Sequence, residues 1–146
     1  MKIIKGDLIK MAKAGAFDII VHGANCQNVM GAGIASQIKQ EFPEAFEADR
    51  QCTDRSLGKF STIGIKRLNY LIVVNAYTQI LPGPNASYDA IAKVFGELNM
   101  LVTPKASIGI PQIGCGIGGL KWPVVKTIIE QYAPNLDITC VIYDKG

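Results

Sequence analysis

The 146-residue sequence contains one histidine, His22, and one tryptophan, Trp122. Its four cysteines, Cys26, Cys52, Cys115 and Cys140, are widely spread and form no C-x-x-C pair. A single imidazole and scattered thiols argue against a zinc site, and reduced cysteines are expected rather than a disulfide framework. No apolar run approaches the roughly 20 residues that span a bilayer, so no membrane partner is expected. The start, Met1-Lys2-Ile3-Ile4-Lys5-Gly6-Asp7, lacks a signal peptide's apolar centre and cleavage site, which points to a cytoplasmic protein. No G-x-x-x-x-G-K-[ST] motif is present, which excludes a P-loop nucleotidase as a motif-based reading. A cysteine phosphatase needs an arginine six residues after its cysteine. Here Ala32 follows Cys26 at that spacing and Lys121 follows Cys115. The net charge of +3 comes without a basic run interleaved with aromatics. Nucleic acid is therefore not favoured as a partner, whereas an anionic small molecule is.

What the chain does have is apolar content and glycine. Nearly half of it, 49%, is hydrophobic, enough for one domain over residues 1–146 with a real core. Residues 2–5, 17–21, 58–65, 70–76, 106–110 and 138–143 read as strands, the run at 17–21 being buried on both faces. Helices are expected over 8–14, 32–41, 88–101 and 123–131, with Ser87 as an N-cap and Pro123 in a first turn; Pro43 either stops the second of these or begins another through Asp49. Residues 66–69 form a turn and 81–86 a plain loop. Strands alternating with helices predict an α/β fold: a three-layer α/β/α sandwich around a central mixed, largely parallel sheet. Two glycine-rich loops each follow a strand and lead into a helix, one at residues 25–35 and one at 111–120. Glycine brings bare backbone N–H groups close to a ligand, and a helix start favours anions. In such sheets ligands lie beyond the strand carboxyl ends, where both loops fall. A phosphate-bearing, nucleotide-like ligand held between the loops follows.

Gly114-Cys115-Gly116-Ile117-Gly118-Gly119 also satisfies G-x-G-x-x-G. That fingerprint belongs after the first strand of a dinucleotide unit, with an acid ending the next strand. Only one strand follows here, with Asp137 before it and Asp144 too distant, so an NAD-binding domain is set aside.

The arrangement resembles the macrodomain family, small α/β modules that bind ADP-ribose, over nearly the whole chain. Gly6-Asp7-Leu8, Gly23-Ala24-Asn25-Cys26, Met30-Gly31-Ala32-Gly33-Ile34-Ala35, Asn75-Ala76-Tyr77-Thr78-Gln79 and the second loop through Lys121-Trp122 carry the likeness. The Asn-Cys and Tyr-Thr-Gln elements are most similar to the subgroup of ADP-ribose 1″-phosphate phosphatases and related de-ADP-ribosylating hydrolases. The resemblance implies that Asp7 accepts from the adenine amino group, with the Leu8 backbone beside it. Asn25 would bond the distal ribose. Met30, Gly31, Ala32, Gly33 and Ile34 would wrap the ligand from one side. Gly114, Cys115, Gly116, Ile117 and Gly118 would wrap it from the other, through backbone N–H groups. Tyr143 would stack on adenine. No metal or cofactor is implied.

Each role has a plainer competitor. Asp7 also suits an N-cap, and Asn25 a turn. His22 suits a packed, hydrogen-bonded core residue, although a histidine near this position in phosphatase-like relatives makes it a candidate proton shuttle. Related hydrolases carry an aspartate where this chain has Gly118. Those acting on carboxylate-linked ADP-ribose also use a lysine on a middle segment, which here reads Val73-Val74-Asn75-Ala76-Tyr77. The resulting expectation is ADP-ribose recognition, with any catalysis being slow hydrolysis of ADP-ribose 1″-phosphate through Asn25 and His22. The alternatives are a non-catalytic ADP-ribose reader, a protein de-ADP-ribosylase and an RNA-binding module.

Overall fold

The computed structural model describes residues 1–144. Six strands form one sheet: β1 (Lys2–Gly6), β2 (Ile19–Asn25), β3 (Phe60–Ile65), β4 (Leu71–Gln79), β5 (Ser107–Ile110) and β6 (Asp137–Tyr143). Their spatial order is β1-β6-β5-β2-β4-β3. Only β3, at one edge, runs antiparallel to its neighbour; the other pairs are parallel. The helices are α1 (Leu8–Lys13), α2 (Gly33–Glu41), α3 (Pro43–Gln51), α4 (Tyr88–Leu101) and α5 (Trp122–Tyr132). Helices α4 and α5 bury Ile91, Phe95, Val125 and Ile129 with Val21, Val74 and Ile110 on one face of the sheet. Helices α1, α2 and α3 bury Leu8, Ile38, Phe42 and Ala45 with Ile20 and Val73 on the other. The expected three-layer α/β/α sandwich with a mixed, largely parallel sheet is what forms.

Local chemistry explains most boundaries. Asp7 caps α1, its Oδ1 accepting from Lys10 N at 3.1 Å, and Ser87 caps α4 through Ala90 N. Pro123 sits in the first turn of α5, where its missing N–H costs nothing. Two strands run further than their apolar stretches indicate. Strand β2 continues through His22 to Asn25 and β4 through Tyr77 to Gln79. The parallel ladder between β2 and β4 continues through these residues, so polar side chains are carried into the sheet without ending it. Strand β3 starts later than expected because Gly58 adopts a φ of 84° in a turn, its N–H bonded to Tyr77 O.

The loops after β2 and β5 leave adjacent strands toward opposite faces, one into α2 and the other into α5. This divergence opens a crevice at the carboxyl edge of the sheet. The packing beneath it is tight. A Cβ at Gly109 would lie 2.6 Å from Phe17 Cδ2 and 2.9 Å from Leu8 Cδ1. At Gly64, on the edge strand, a Cβ would meet nothing within 4 Å. In chemical denaturation Gly109→Ala is expected to cost about 1–3 kcal/mol, the range of core overpacking. Gly64→Ala is expected to be neutral or slightly stabilising.

Candidate functional site

Five strand ends open onto a single cavity of about 490 Å³. Asp7 and Leu8 follow β1, Tyr143 ends β6, and residues 111–114 and 116–118 follow β5. Gly23, Ala24 and Asn25 end β2, and Thr78 and Gln79 end β4. The sheet order thus spreads Asp7 and Thr78 across four strand spacings, roughly 19 Å at about 4.8 Å each. The cavity is a long trough with glycine loops at its middle.

One wall is the start of α2. Its N-cap, Ala32, offers no side-chain cap, and Gly33 takes a φ of 60°. Among the described residues, the amides of Gly31, Gly33, Ile34 and Ala35 have no protein acceptor. An uncapped helix start leaves both hydrogen-bond donors and a positive dipole end facing the trough. The opposite wall is the second loop, turned by Gly114 at a φ of 75°. Cys115 N–H donates to Gln112 O and Leu120 N–H to Gly114 O, which fixes the turn. The amides of Gly116, Ile117 and Gly118 then have no partner among the described residues. The walls meet at one end, where Ile117 Cδ1 lies 3.3 Å from the position of a Cβ on Gly33.

Residues 80–86 join both walls. Cys26 N–H donates to Gln79 O and Ile80 O, and Ala86 N–H donates to Gly118 O at 3.2 Å. Asn85 braces this segment by accepting from Leu81 N–H and donating to Leu81 O. Far from being a plain loop, it closes the trough at the β4 end.

Among the described residues, Asp7 is the only side chain of formal charge on the lining. Its Oδ1 caps α1, so one carboxylate oxygen remains for a ligand donor. Asn25 lines the trough but spends most of its amide on its own loop. Its Oδ1 accepts from Gln27 and Val29 N–H, and Nδ2 donates to Val29 O at 2.7 Å. One N–H of the side chain remains.

The first loop is anchored from beneath by a buried polar chain. Asn28, at a φ of 56°, donates to Asp49 Oδ2 at 2.6 Å, and Tyr77 OH donates to Asp49 Oδ1 at 2.6 Å. Ser61 shares a hydrogen bond with Tyr77 OH and receives one from Asn75, which also donates to Ala45 O. His22 completes the chain through Nε2 to Asn75 Oδ1 at 2.6 Å. Burial and the Asp49 bond push the Tyr77 phenol well above its usual range, so it stays a donor.

The sequence matches the macro domain family over residues 21–129. The chain belongs to the macrodomain family. It is 35% identical to an uncharacterized 17.5 kDa protein of Enterobacteria phage T4, over 99% of this chain and 97% of that one. It is 31% identical to a DNA ADP-ribosyl glycohydrolase of Mycobacterium tuberculosis, over 94% of this chain but only 40% of that protein. The macrodomain spans well under half of that relative. Its fold superposes on the macrodomain of Mycobacterium tuberculosis DarG with a TM-score of 0.79 at 26% identity, covering 100% of both chains.

Within this macrodomain, Asp7, Leu8, Asn25, Gly31, Ala32, Gly33, Ile34, Gly114, Gly116, Ile117, Gly118 and Tyr143 all line the trough. Three residues singled out from the sequence do not. Met30 is buried in the core beneath α2, anchoring its loop by packing. Cys115 turns inward against the other core, its Sγ donating to Ile113 O. His22, the candidate proton shuttle, is wholly buried on the α2–α3 face and is not part of the lining. Residues that the sequence reading left without a role now border the site: Thr78, Gln79, Pro82, Gly83 and Gln112. The Tyr77-Thr78-Gln79 run was the available signal. Asp49 and Asn28 gave none, because their pairing spans 21 residues. At Gly118 a Cβ would sit 2.6 Å from Gly114 O and 2.8 Å from Ala86 Cβ. An aspartate cannot be accommodated there without moving both the Gly114 backbone and Ala86.

Burial lowers the His22 pKa below 6.5, against smaller opposing effects from the Asn75 bond and the Asp49 charge. The folded protein therefore resists the proton that the unfolded chain accepts. Stability from this group is full above pH 6.5 and is lost as pH falls toward the folded value. Urea melts between pH 7.5 and 5 should show declining stability, with a shallower decline in His22→Gln. Equal slopes in both proteins would contradict this assignment.

Proposed function

We propose that this macrodomain binds ADP-ribose or a close derivative along the trough, with the diphosphate between the two sets of unpartnered amides. That pairing of amides is the observation that carries the reading. A diphosphate supplies acceptors to both walls at once, and hydrogen bonds to a charged acceptor are each worth about 1.5–3 kcal/mol. Asp7, Leu8 and Tyr143 take the adenine end, and Asn25 takes the distal ribose with its remaining N–H. Among the described residues no cationic side chain lines the trough, which fits recognition by backbone dipoles, as at other helix starts that hold phosphates.

Hydrolysis is the second reading, favoured by the relative named as a DNA ADP-ribosyl glycohydrolase. For ADP-ribose 1″-phosphate, water would attack phosphorus and the bond to the ribose 1″ oxygen would break, that oxygen leaving with a proton from the water, while the loop amides hold the diphosphate and Asn25 orients the ribose. His22, buried away from the lining, has no part in this reading, and slow turnover is expected because no general base borders the distal end among the described residues. Calorimetry should find ADP-ribose binding that weakens on the order of tenfold or more in Gly33→Ala. That substitution strains a left-handed residue and crowds Ile117. Phosphate release from ADP-ribose 1″-phosphate should be abolished by Asn25→Ala and unchanged by His22→Gln. Binding without product after hours would select the reader over the hydrolase, and no binding would overturn both.

A further inference from the structure

Among the described residues, two buried side-chain polar atoms have no hydrogen-bond partner: His22 Nδ1 and Thr78 Oγ1. The first lies in the core. The second belongs to a residue that borders the trough while being only 1% exposed. Strand pairing explains how it comes to be there. Ala24 faces Tyr77 and Asn25 faces Gln79, so Thr78 is an extra residue opposite no partner on β2. Such bulges re-aim one side chain out of the ladder's alternation. Gly23 completes the arrangement, because a Cβ there would sit 2.9 Å from Thr78 Oγ1 and 3.3 Å from Ile113 Cγ1. Glycine at 23 leaves the space next to the hydroxyl free, where any Cβ would crowd it, and both residues line the trough.

An unpartnered buried hydroxyl destabilises the protein that contains it, since its hydration is lost and nothing replaces it. We infer that the Thr78 hydroxyl is a ligand-contacting group that hydrogen-bonds an oxygen of the ligand's distal ribose, four strands from the Asp7 end. The inference rests on the ADP-ribose reading. Thr78 thereby distinguishes a ligand carrying the second ribose from one that stops at the first phosphate. Together with the remaining N–H of Asn25 it forms a short polar floor, built from β2 and β4, for the hydroxyl-bearing end of the molecule.

Thr78→Val keeps the side-chain shape and removes only the hydroxyl. Calorimetry on the whole chain should show ADP-ribose affinity falling on the order of tenfold, the usual effect of one lost hydrogen bond. AMP, which lacks the distal ribose, should bind the variant and the original protein alike. Thr78→Ser, which retains the hydroxyl, should restore ADP-ribose affinity. Without ligand, the valine variant should melt higher, by about 3 °C, because the unpartnered group is gone. Opposite signs for stability and affinity would not arise from a merely structural hydroxyl. Equal ADP-ribose affinity in Thr78→Val, an equal loss for AMP, or a lowered melting temperature would each overturn the inference. If the unsubstituted protein fails to bind ADP-ribose, the functional reading fails first and this inference falls with it.

Discussion

Among the described residues, the amides of Gly31, Gly33, Ile34, Ala35, Gly116, Ile117 and Gly118 at the carboxyl edge of the sheet have no acceptor within the protein, and the topology keeps them so. Strands β2 and β5 are hydrogen-bonded neighbours, yet the chain leaves them toward opposite faces. Neither following loop can lie over the other's strand, so their amides confront each other across a gap. A capping side chain at position 32 would use the donors of α2 internally; alanine there provides none. Unmet donors cost free energy unless water or a ligand answers them, and this protein concentrates them in one place. An elongated diphosphate ligand is the chemical complement of that arrangement.

Holding loops with free donors in place demands anchorage elsewhere. On the β2 side this comes from beneath, through Asn28, Asp49 and Tyr77, and from the packed Met30. A buried carboxylate answered by two short hydrogen bonds holds its partners firmly, because losing either leaves a charge without compensation. On the β5 side the loop is tied by its own turn and by Ala86 N–H to Gly118 O. Residues 80–86 link the two systems, so the crevice is built from three loops rather than two. Preorganisation of this kind lowers the ordering cost of binding.

Much of this was legible in the sequence because it depends on local patterns. Apolar runs marked the sheet, Ser87 and Pro123 marked helix starts, and glycine clusters after strands marked both walls of the trough. What stayed hidden depends on long-range pairing. The bulge that re-aims Thr78 exists only once β4 lies against β2. The pairing of Asn28 with Asp49 likewise crosses two helices. His22 followed an apolar run and could equally have emerged at the strand end; the strand instead continues three residues beyond it. Residues 81–86 read as a plain loop because proline and glycine announce a turn without revealing what it touches.

Amide nitrogen–proton correlation spectra, recorded while ADP-ribose or adenosine is added, test the central claim most directly. The account predicts that ADP-ribose moves the Gly31, Gly33, Ile34, Gly116, Ile117 and Gly118 signals downfield together, with one saturation curve. Adenosine should perturb only the neighbourhood of Asp7, Leu8 and Tyr143. ADP-ribose shifts confined to one wall, or the same loop shifts with adenosine, would contradict a diphosphate clasped from both sides.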